Sequence, residues 1–456
     1  MKRREALKTL GAMAGAAGAA RVLPACATDD DGPVGITNIV VVMMENRSYD
    51  HLLGGRAFEG KPGDGLVMGM SNPDLDGRQV GIYPMMPSGM CVPDPPHGWD
   101  SSHVQWSSTT NQGFLTEFQR DHGGDRSLTH VMSYLRREDV PVTWALADAY
   151  TTCDRYFCSV MGPTWPNRMF WHSGDSGGLK VNDFPTGGFN WPSIYHRLDA
   201  KGVPWRYYYT DLPVLALIDT LDKVGRIFDV SEFYNDAMLG RLPPVTYVDP
   251  GFGMNDDHPP HHPALGQQFI ASIYTALATS PQWKNTLLVV TYDEHGGFFD
   301  HVSPPKAVGD TRAAEGFDQL GFRVPTLIAG PYVKPGHVSS VTYDHCSVLR
   351  HIEAMFDLEP CNARTAGSTD LTDALDLEAL AAGTPRDPIA IPAVEFDASM
   401  LGEECLTRVR ETHDVLKMAD RYPALFRGWD KRDQVRDQVL MIGDYLERHG
   451  VGRIRR

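Results

Sequence analysis

The sequence predicts an α/β protein with a mostly parallel central sheet and helices on both of its faces. Apolar segments of strand length recur along the chain, and segments with helical periodicity lie between them. The first of these segments contains the run Ile39–Met44, which is continuously apolar, as is typical of a strand buried on both faces. This alternation favours a doubly wound sheet whose two faces are covered.

Five segments are predicted as strands of this sheet: 36–44, 204–210, 244–249, 285–292 and 324–330. A helix is predicted before the fourth strand, over 266–280, where Phe269, Ile273 and Leu277 recur at helical spacing. Another helix is predicted after the fifth strand, over 344–358. Strands and helices that alternate in this way place the carboxyl ends of the parallel strands at one edge, where ligands bind in such folds.

The chain of 456 residues is predicted to have four parts. Residues 1–26 are an export signal, 27–35 a flexible tether, 36–400 the catalytic domain and 401–456 a helical segment packed on it. Within the catalytic domain, residues 56–110 are rich in Gly, Pro, Met and Asp, and we expect them to form long loops over an active face.

The amino terminus resembles a bacterial twin-arginine export signal, with Arg3 and Arg4 followed by Leu7 and Lys8. We therefore expect an exported protein that is periplasmic, anchored to the cell envelope or extracellular. The segment LPAC, which ends at Cys26, resembles a lipoprotein processing site and would provide an N-terminal lipid for membrane association. Plain signal cleavage nearby is the alternative.

The composition limits the partners and the cysteine chemistry. The 42 basic and 58 acidic residues give a net charge of −16, which disfavours a nucleic-acid partner. Without Cys26, six of the seven cysteines remain, enough for three disulfides in an exported chain. The pairs Cys153/Cys158 and Cys346/Cys361 are the nearest candidates.

Polar residues follow two distant predicted strands at the point where each strand ends. Glu45 and Asn46 follow the first strand, and Asp293 and Glu294 follow the fourth. Three carboxylates that converge repel one another unless a cation lies between them. A set of carboxylate and amide oxygens suits Ca²⁺, Mg²⁺ or Mn²⁺ better than Zn²⁺. The alternative is that each pair caps a helix or holds a turn.

The segment TWPNR, residues 164–168, combines a hydroxyl with groups that bind phosphate. Pro166 favours a helix start, so Thr164 is predicted at a helix N-terminus, where N–H groups and the helix dipole favour anions. Asn167 and Arg168 are candidates to hold phosphoryl oxygens. Thr164 as a simple N-cap is the alternative.

Several of the 17 histidines lie in loops beside these segments. His97 in PPHGW and His258 in NDDHPP are candidates to protonate a leaving group or to contact phosphoryl oxygens. His301 and Asp257 are predicted to orient neighbouring groups in the site. Any of these histidines can instead be an ordinary surface residue, and the run HPPHH can instead bind a transition metal.

Three segments resemble the motifs of one family: ENRSYDHLLG, TWPNR and TYDEHGGFFDHVSPP, with supporting matches in PPHGW, NDDHPP and GFRVP. This is the phosphoesterase family that contains non-specific phospholipases C of bacteria and plants and a group of bacterial acid phosphatases. The matches run in the same order from about residue 36 to 356. The resemblance implies an alkaline-phosphatase-like three-layer α/β/α sandwich and metal-assisted hydrolysis of phosphoesters.

The resemblance also implies a role for each candidate residue. One divalent metal would be held by Glu45, Asn46, Asp293 and Glu294, and Thr164 would be the nucleophile that forms a phosphothreonine intermediate. Glu294 lies where the wider superfamily commonly has a zinc-binding histidine, which agrees with a hard cation.

His97 and His258 match histidines that line the family's site, and His258 is predicted to protonate the leaving alcohol.

The substrate class stays open at this level. The threonine nucleophile, aromatic loops and a lipid anchor favour phospholipid diesters, and an acid-phosphatase-like monoesterase is the alternative. A non-catalytic exported lipoprotein that binds metal or phosphate is the alternative of another class. A sulfatase is disfavoured because Thr164 stands where those enzymes need a modifiable Cys or Ser.

Overall fold

The computed structural model describes residues 35–86, 90–185, 188–218, 220–397 and 413–455. The predicted export signal, Cys26 and nearly all of the tether lie outside these ranges, as do residues 398–412. No helix in the described ranges is both long and apolar enough to cross a membrane.

The described strands are β1 (Asn38–Met44), β2 (Ser71–Pro73), β3 (Gln79–Gly81), β4 (Tyr83–Pro84), β5 (Ser133–Tyr134), β6 (Thr151–Cys153), β7 (Trp205–Tyr209), β8 (Ile227–Asp229), β9 (Val245–Asp249), β10 (Thr286–Tyr292), β11 (Leu327–Ala329), β12 (Val338–Ser339), β13 (Val394–Asp397) and β14 (Gly452–Arg455). The described α-helices are α1 (Tyr49–Leu52), α2 (Trp99–Trp106), α3 (Phe114–Asp121), α4 (Pro141–Ala149), α5 (Thr164–Ser173), α6 (Ile194–Lys201), α7 (Val230–Met238), α8 (Pro263–Ala278), α9 (His345–Met355), α10 (Ala363–Gly367), α11 (Leu377–Ala382), α12 (Asp414–Arg421) and α13 (Val435–Arg448). Short 3₁₀ turns cover Gly54–Glu59, Ser107–Thr109, His130–Met132, Val214–Leu217, Trp283–Asn285, Ala313–Glu315, Leu371–Ala374 and Arg432–Gln434.

The central sheet has eight strands in the order β12–β6–β11–β10–β1–β9–β7–β8. Neighbouring strands pair in parallel except at β11, which is antiparallel to both β10 and β6. All five predicted strands lie in this sheet, so the mostly parallel α/β fold is confirmed. The sheet also contains β6, β8 and β12, each of two or three residues, too short to show a recognisable apolar pattern.

Helices cover both faces of the sheet. Helices α4, α7 and α13 pack around α8, whereas α6, α9 and α12 pack around α5. Every residue of the two central strands, β1 and β10, is buried. A strand buried along its whole length needs a layer on each face, so the predicted three-layer sandwich is confirmed.

The C-terminal part, predicted as a helical appendage, does contain the helices α12 and α13. It also contains β14, which pairs in parallel with β13 and was not predicted. Helix α12 packs on α5, the helix that begins at Thr164. The C-terminal segment therefore reaches the edge of the sheet where the candidate site residues lie.

The predicted disulfides are wrong. Cys153, Cys158, Cys346 and Cys361 are all buried free thiols. Cys346, for example, packs against Val160, Phe170 and Phe317 in a small apolar cluster. Buried free cysteines of this kind act as small apolar side chains, and nearness along the chain did not bring the sulfur atoms together. Cys91 takes part in a disulfide, and Cys405 lies outside the described residues.

Candidate active site

The two pairs of polar residues after the central strands are neighbours in space. Met44 of β1 is in register with Tyr292 of β10, so Glu45 and Asp293 leave the sheet side by side. The backbone N–H of Asn46 donates a hydrogen bond of 2.9 Å to Asp293 Oδ1. Asn46 has a φ of 57°, in the left-handed region that asparagine tolerates better than most residues. This conformation turns the chain at the strand end.

Gly296 lets the second strand end approach the first. It has a φ of 63°, and a Cβ atom at this position would lie 2.1 Å from the carbonyl oxygen of Asn46. Only glycine fits such a close backbone approach. The DEHGG segment therefore needs this residue to hold Asp293 and Glu294 against Asn46.

Three oxygen atoms of these residues are buried without a hydrogen-bond partner in the part of the chain that the structure describes: Asn46 Oδ1, Asp293 Oδ2 and Glu294 Oε1. Burial, together with the negative charge of the neighbouring Glu294, raises the pKa of Asp293 to about 7. Burial likewise raises the pKa of Glu294 to about 7, against the opposing charge of His97. Unpartnered buried carboxylate oxygens are costly, and a cation between them removes that cost. The donor set fits a hard divalent metal.

Groups able to ligate a metal converge in three clusters of the described residues: Glu45/His258/His413, Asp94/His97/His258 and Asp50/Asp300/His301. Within each cluster the candidate ligand atoms lie within 4.8 Å of one another. The first two share His258 and adjoin the strand ends, so imidazoles as well as carboxylates surround this part of the site. The sequence prediction named only oxygen ligands.

Arg168 is the counter-ion of Glu45. Its Nε donates a hydrogen bond of 2.6 Å to Glu45 Oε1, and its Nη1 lies 3.5 Å from Asp249 Oδ1. The pKa of Glu45 is raised well above its ordinary value because burial outweighs the attraction of Arg168. The guanidinium predicted to hold phosphate is thus already committed to two carboxylates. Binding phosphate would require it to exchange these partners.

Thr164 is the first residue of α5 and is completely buried. Its hydroxyl donates to Glu45 Oε2 across 3.5 Å, a long contact. Pro163 occupies the N-cap position and Thr164 is already the first helical residue, so Thr164 is not a simple N-cap. The hydroxyl instead faces the candidate metal ligands.

Asn167 holds the loop before the nucleophile candidate. Its Oδ1 accepts from the backbone N–H of Val160 at 3.0 Å, and its Nδ2 donates to the carbonyl oxygens of Val160, Gly162 and Pro163 at 3.0–3.2 Å. The amide is therefore fully used by the backbone of residues 160–163. The predicted contact with phosphate would require these bonds to break.

His97 and His258 face each other edge-on, with ring centroids 5.8 Å apart. In each ring Nδ1 lies beside a proline carbonyl oxygen, at 2.7 Å for His97 and 2.6 Å for His258. A carbonyl oxygen only accepts, so Nδ1 carries a proton in both rings. The difference in hydrogen bonding between the two rings therefore lies at Nε2.

The Nε2 atoms of the two rings have opposite surroundings. Among the described residues His258 Nε2 is buried without a hydrogen-bond partner, whereas His97 Nε2 lies 3.3 Å from both Asp414 Oδ2 and the side-chain nitrogen of Asn46. Burial, together with the charge of His413, holds the pKa of His258 well below its ordinary value. For His97, burial is outweighed by Glu294, Asp94 and Asp414, which raise its pKa well above the ordinary value. His258 is arranged as an acceptor and His97 as a donor.

Two residues of the C-terminal segment enter the site, and the sequence prediction missed both. His413 stacks on His258 with centroids 4.2 Å apart, and its Nε2 lies 2.6 Å from Asp256 Oδ2. Asp414 contacts His97, from which it is separated by 317 positions in the chain. THD before an apolar helical pattern is a common helix start. No local signal could have assigned these residues to the site.

The two predicted supporting residues are in different places. Asp257 lies beside the site, where its Oδ2 accepts a hydrogen bond of 2.6 Å from the Tyr292 hydroxyl. His301 belongs to a separate network in which its Nδ1 lies 2.6 Å from Asp50 Oδ2. Arg323 completes that network with hydrogen bonds to Asp50 and Asp300. His301 therefore stabilises the loop after β10 and makes these contacts with residues other than those at the strand ends.

The chain is similar in sequence to one protein family and to several known proteins. Residues 36–359 match the profile of the phosphoesterase family. Non-specific phospholipase C6 of Arabidopsis thaliana is 35% identical over 358 residues, which cover 71% of this chain and 68% of that protein. Phospholipase C B of Mycobacterium tuberculosis is 30% identical over 415 residues, which cover 75% and 78%. A protein in the alkaline phosphatase superfamily from Vibrio parahaemolyticus overlaps with a TM-score of 0.38 at 9% identity, covering 82% and 79%.

Proposed function

The chain belongs to the phosphoesterase family, and on this premise we propose that it is a metal-dependent phospholipase C-like hydrolase that works through a phosphothreonine intermediate. One observation carries the proposal. The buried Thr164 hydroxyl, at the N-terminus of α5, faces Glu45 beside a group of buried oxygens that have no hydrogen-bond partner among the described residues. A hydroxyl nucleophile, a helix N-terminus and a cation site in one place are the requirements of phosphoryl transfer.

The metal is proposed to bind to Glu45, Asn46, Asp293 and Glu294. The unpartnered oxygens of Asn46, Asp293 and Glu294 support this assignment, and Glu45 is the only one of the four with an arginine partner in the described residues. A bound divalent cation supplies electrostatic stabilisation of the charged phosphoryl group. The oxygen-rich set favours Ca²⁺, Mg²⁺ or Mn²⁺ over Zn²⁺.

In the first step Thr164 Oγ attacks phosphorus while the bond from phosphorus to the alcohol oxygen breaks. The Thr164 proton has an acceptor in Glu45 Oε2, at 3.5 Å. The N-terminus of α5 favours the negative charge that gathers around the phosphoryl oxygens. The product of this step is an alcohol and a phosphothreonine.

The departing alcohol oxygen needs a proton, and the hydrogen bonding favours His97 as the donor over His258. His97 has a proton-accepting oxygen beside each ring nitrogen, whereas His258 Nε2 has no hydrogen-bond partner among the described residues. This revises the expectation from the sequence, which gave the proton to His258. In the second step water attacks the phosphorus of the phosphothreonine, and His97, now neutral, takes a proton from that water, as microscopic reversibility requires. The bond from phosphorus to Thr164 Oγ breaks, Glu45 returns its proton to Oγ, and the phosphorylated headgroup is released.

A phosphodiester is proposed as the substrate because the site offers few cations. Arg168 is paired with Glu45 and Asp249, and Arg47 donates to the carbonyl oxygen of Asp257. A phosphomonoester carries a second negative charge at neutral pH and needs additional cationic partners. The phospholipase C names of the relatives agree with a diester of a phospholipid.

Export by a twin-arginine-type signal and lipidation at Cys26 remain part of the proposal, because both rest on residues outside the described ranges. Mass spectrometry of the mature N-terminus would distinguish a diacylated Cys26 from plain cleavage. No nucleic-acid partner is proposed, given the net charge of −16.

The proposal is tested by assaying purified protein with phosphatidylcholine and with p-nitrophenyl phosphate, each with and without chelator. We expect release of diacylglycerol that chelator abolishes and added divalent metal restores. Absence of turnover with both esters, in protein shown to be folded, would favour the non-catalytic lipoprotein. Turnover of the monoester alone would favour an acid-phosphatase-like enzyme.

A further inference from the structure

Asp414 places a carboxylate inside the candidate active site. Its Oδ2 lies 3.3 Å from His97 Nε2, the nitrogen that faces the site. Only 13% of the side chain is exposed. The residue comes from the start of α12, in the C-terminal segment, and the steps proposed above give it no role beyond its contact with His97.

Several contacts fix Asp414 in this position. Its Oδ2 also accepts a hydrogen bond from the side chain of Asn182. Asn182 in turn accepts a hydrogen bond of 2.9 Å from the backbone N–H of Trp165, in the first turn of α5. The indole N–H of Trp165 donates to the carbonyl oxygen of Asp414 at 3.3 Å. The carboxylate is therefore held by groups that adjoin Thr164.

The helix behind Asp414 is anchored as well. Val415, Leu416 and Met418 of α12 are buried, and the helix packs on α5. Asp183 accepts a hydrogen bond of 2.7 Å from the Tyr422 hydroxyl and pairs with Arg421 at 3.0 Å. The loop that carries Asn182 and the helix that carries Asp414 are thus joined at both ends, so the carboxylate has little freedom to leave.

A fixed carboxylate at this position repels phosphodiesters and phosphomonoesters to different extents. If His97 donates from Nε2 to the leaving oxygen, Asp414 Oδ2 lies at most about 6 Å from that oxygen, because its distance of 3.3 Å to Nε2 and one hydrogen bond of about 3 Å set the upper limit. A phosphodiester brings one negative charge to this place, whereas a phosphomonoester brings nearly two at neutral pH. The repulsion is therefore greater for the monoester.

We propose that Asp414 is a specificity-determining residue that selects phosphodiesters against phosphomonoesters by charge repulsion. The inference rests on the proposed function, because it takes Thr164 and His97 as the groups that meet the phosphoryl group and its leaving oxygen. Asp414 belongs to the C-terminal segment, so this segment would determine whether the enzyme prefers diesters or monoesters. The residues of the phosphoesterase motifs do not by themselves decide between the two substrates.

The test compares Asp414→Asn with the charge-retaining Asp414→Glu and with Asp420→Asn. Asp420 lies on the same helix, is 60% exposed and pairs with Arg432, so its replacement removes one charge away from the site. For each protein kcat/KM is measured with p-nitrophenyl phosphorylcholine and with p-nitrophenyl phosphate, which share one leaving group. We expect Asp414→Asn to raise the monoester-to-diester ratio about tenfold or more. Asp414→Glu and Asp420→Asn should keep the wild-type ratio.

A second measurement does not depend on turnover. The Kd of inorganic phosphate is measured by calorimetry for the metal-supplemented proteins, and we expect tighter binding by about tenfold in Asp414→Asn only. An unchanged ratio together with an unchanged Kd would overturn the role of Asp414, even if both esters were hydrolysed. Tighter phosphate binding by Asp414→Asn in a protein that hydrolyses neither ester would support the repulsion and reject the proposed function.

Discussion

The hydroxyl of Thr164 lies 3.5 Å from Oε2 of Glu45, although 119 positions separate the two residues in the chain. Glu45 leaves the end of β1 and Thr164 begins α5, and both are fully buried. The contact joins the two motifs that the sequence singled out independently. It also defines where a phosphoryl group must bind if Thr164 attacks it.

Replacing Thr164 by Ala should lower kcat by on the order of a thousandfold or more, because the attacking oxygen is removed. Thr164→Ser retains a hydroxyl and should keep a substantial part of the activity. Both variants are measured by steady-state kinetics with a diester substrate. Thr110→Ala, at an exposed threonine, is the control and should behave as wild type.

Acid quenching during turnover should trap a phosphorylated peptide that contains Thr164 in the wild type and none in Thr164→Ala. Near-normal activity of Thr164→Ala would show that another group attacks phosphorus.

Replacing Arg168 by Met should destabilise the protein by about 3–5 kcal/mol, because Glu45 would be left buried without its counter-ion. The free energy of unfolding is measured by denaturant titration. Arg120→Met is the matched control, since Arg120 is 60% exposed and pairs with Glu117 on the surface. Surface pairs of this kind contribute at most about 1 kcal/mol. Equal losses in the two variants would mean that the Arg168–Glu45 pair is not structurally important.

Chelator-treated protein should lose stability as the pH rises from about 4 to about 7. The pKa values of Asp293 and Glu294 are raised by burial to about 7, so in this range the native state binds more protons than the unfolded state. Stability then falls with rising pH, by up to about 1.4 kcal/mol per pH unit for each group. The Tm is measured across this range with and without added metal.

Added Mg²⁺, Ca²⁺ or Mn²⁺ should remove most of this pH dependence, because the metal binds the ionised carboxylates. Glu294→Gln should weaken the dependence in the chelated protein. A Tm that is insensitive to metal over the whole range would contradict a cation site at the strand ends.

The two histidines should differ in their response to the leaving group. His97→Gln should lose much more activity with an alkyl alcohol leaving group than with p-nitrophenolate, which needs no proton to depart. His258→Gln should lose similar activity with both, since its Nε2 has no proton to give. The reverse pattern would return the role of acid to His258. The measurement is kcat for paired diester substrates that differ only in the leaving group.

The central part of the fold could be predicted from the sequence because its strands are long and apolar. β1 and β10 have seven residues each, all buried, and such runs are recognisable without any tertiary information. The short strands β6 and β8 could not be predicted, because three residues do not establish a period. They are strands because longer neighbours offer them hydrogen-bonding partners.

The candidate site was predicted in part for the same kind of reason. Glu45, Asn46, Asp293 and Glu294 were found because polar residues at the end of a buried strand are unusual, and parallel strands end at one edge. Arg168 and Asn167 lie beside the candidate site, yet their polar atoms contact Glu45, Asp249 and the backbone of residues 160–163 and not a free space for phosphate. Side-chain partners of this kind depend on packing and not on local pattern.

The sequence alone determined the α/β class, the two strand ends that carry carboxylate and amide side chains, and the threonine at a helix start. These features follow from local periodicity and from the chemistry of neighbouring residues. The tertiary structure decided what each nitrogen of His97 and His258 contacts, and it brought His413 and Asp414 from the C-terminal segment beside the candidate site. Contacts between residues 317 positions apart arise only when helices pack, because nothing in either local segment encodes the other.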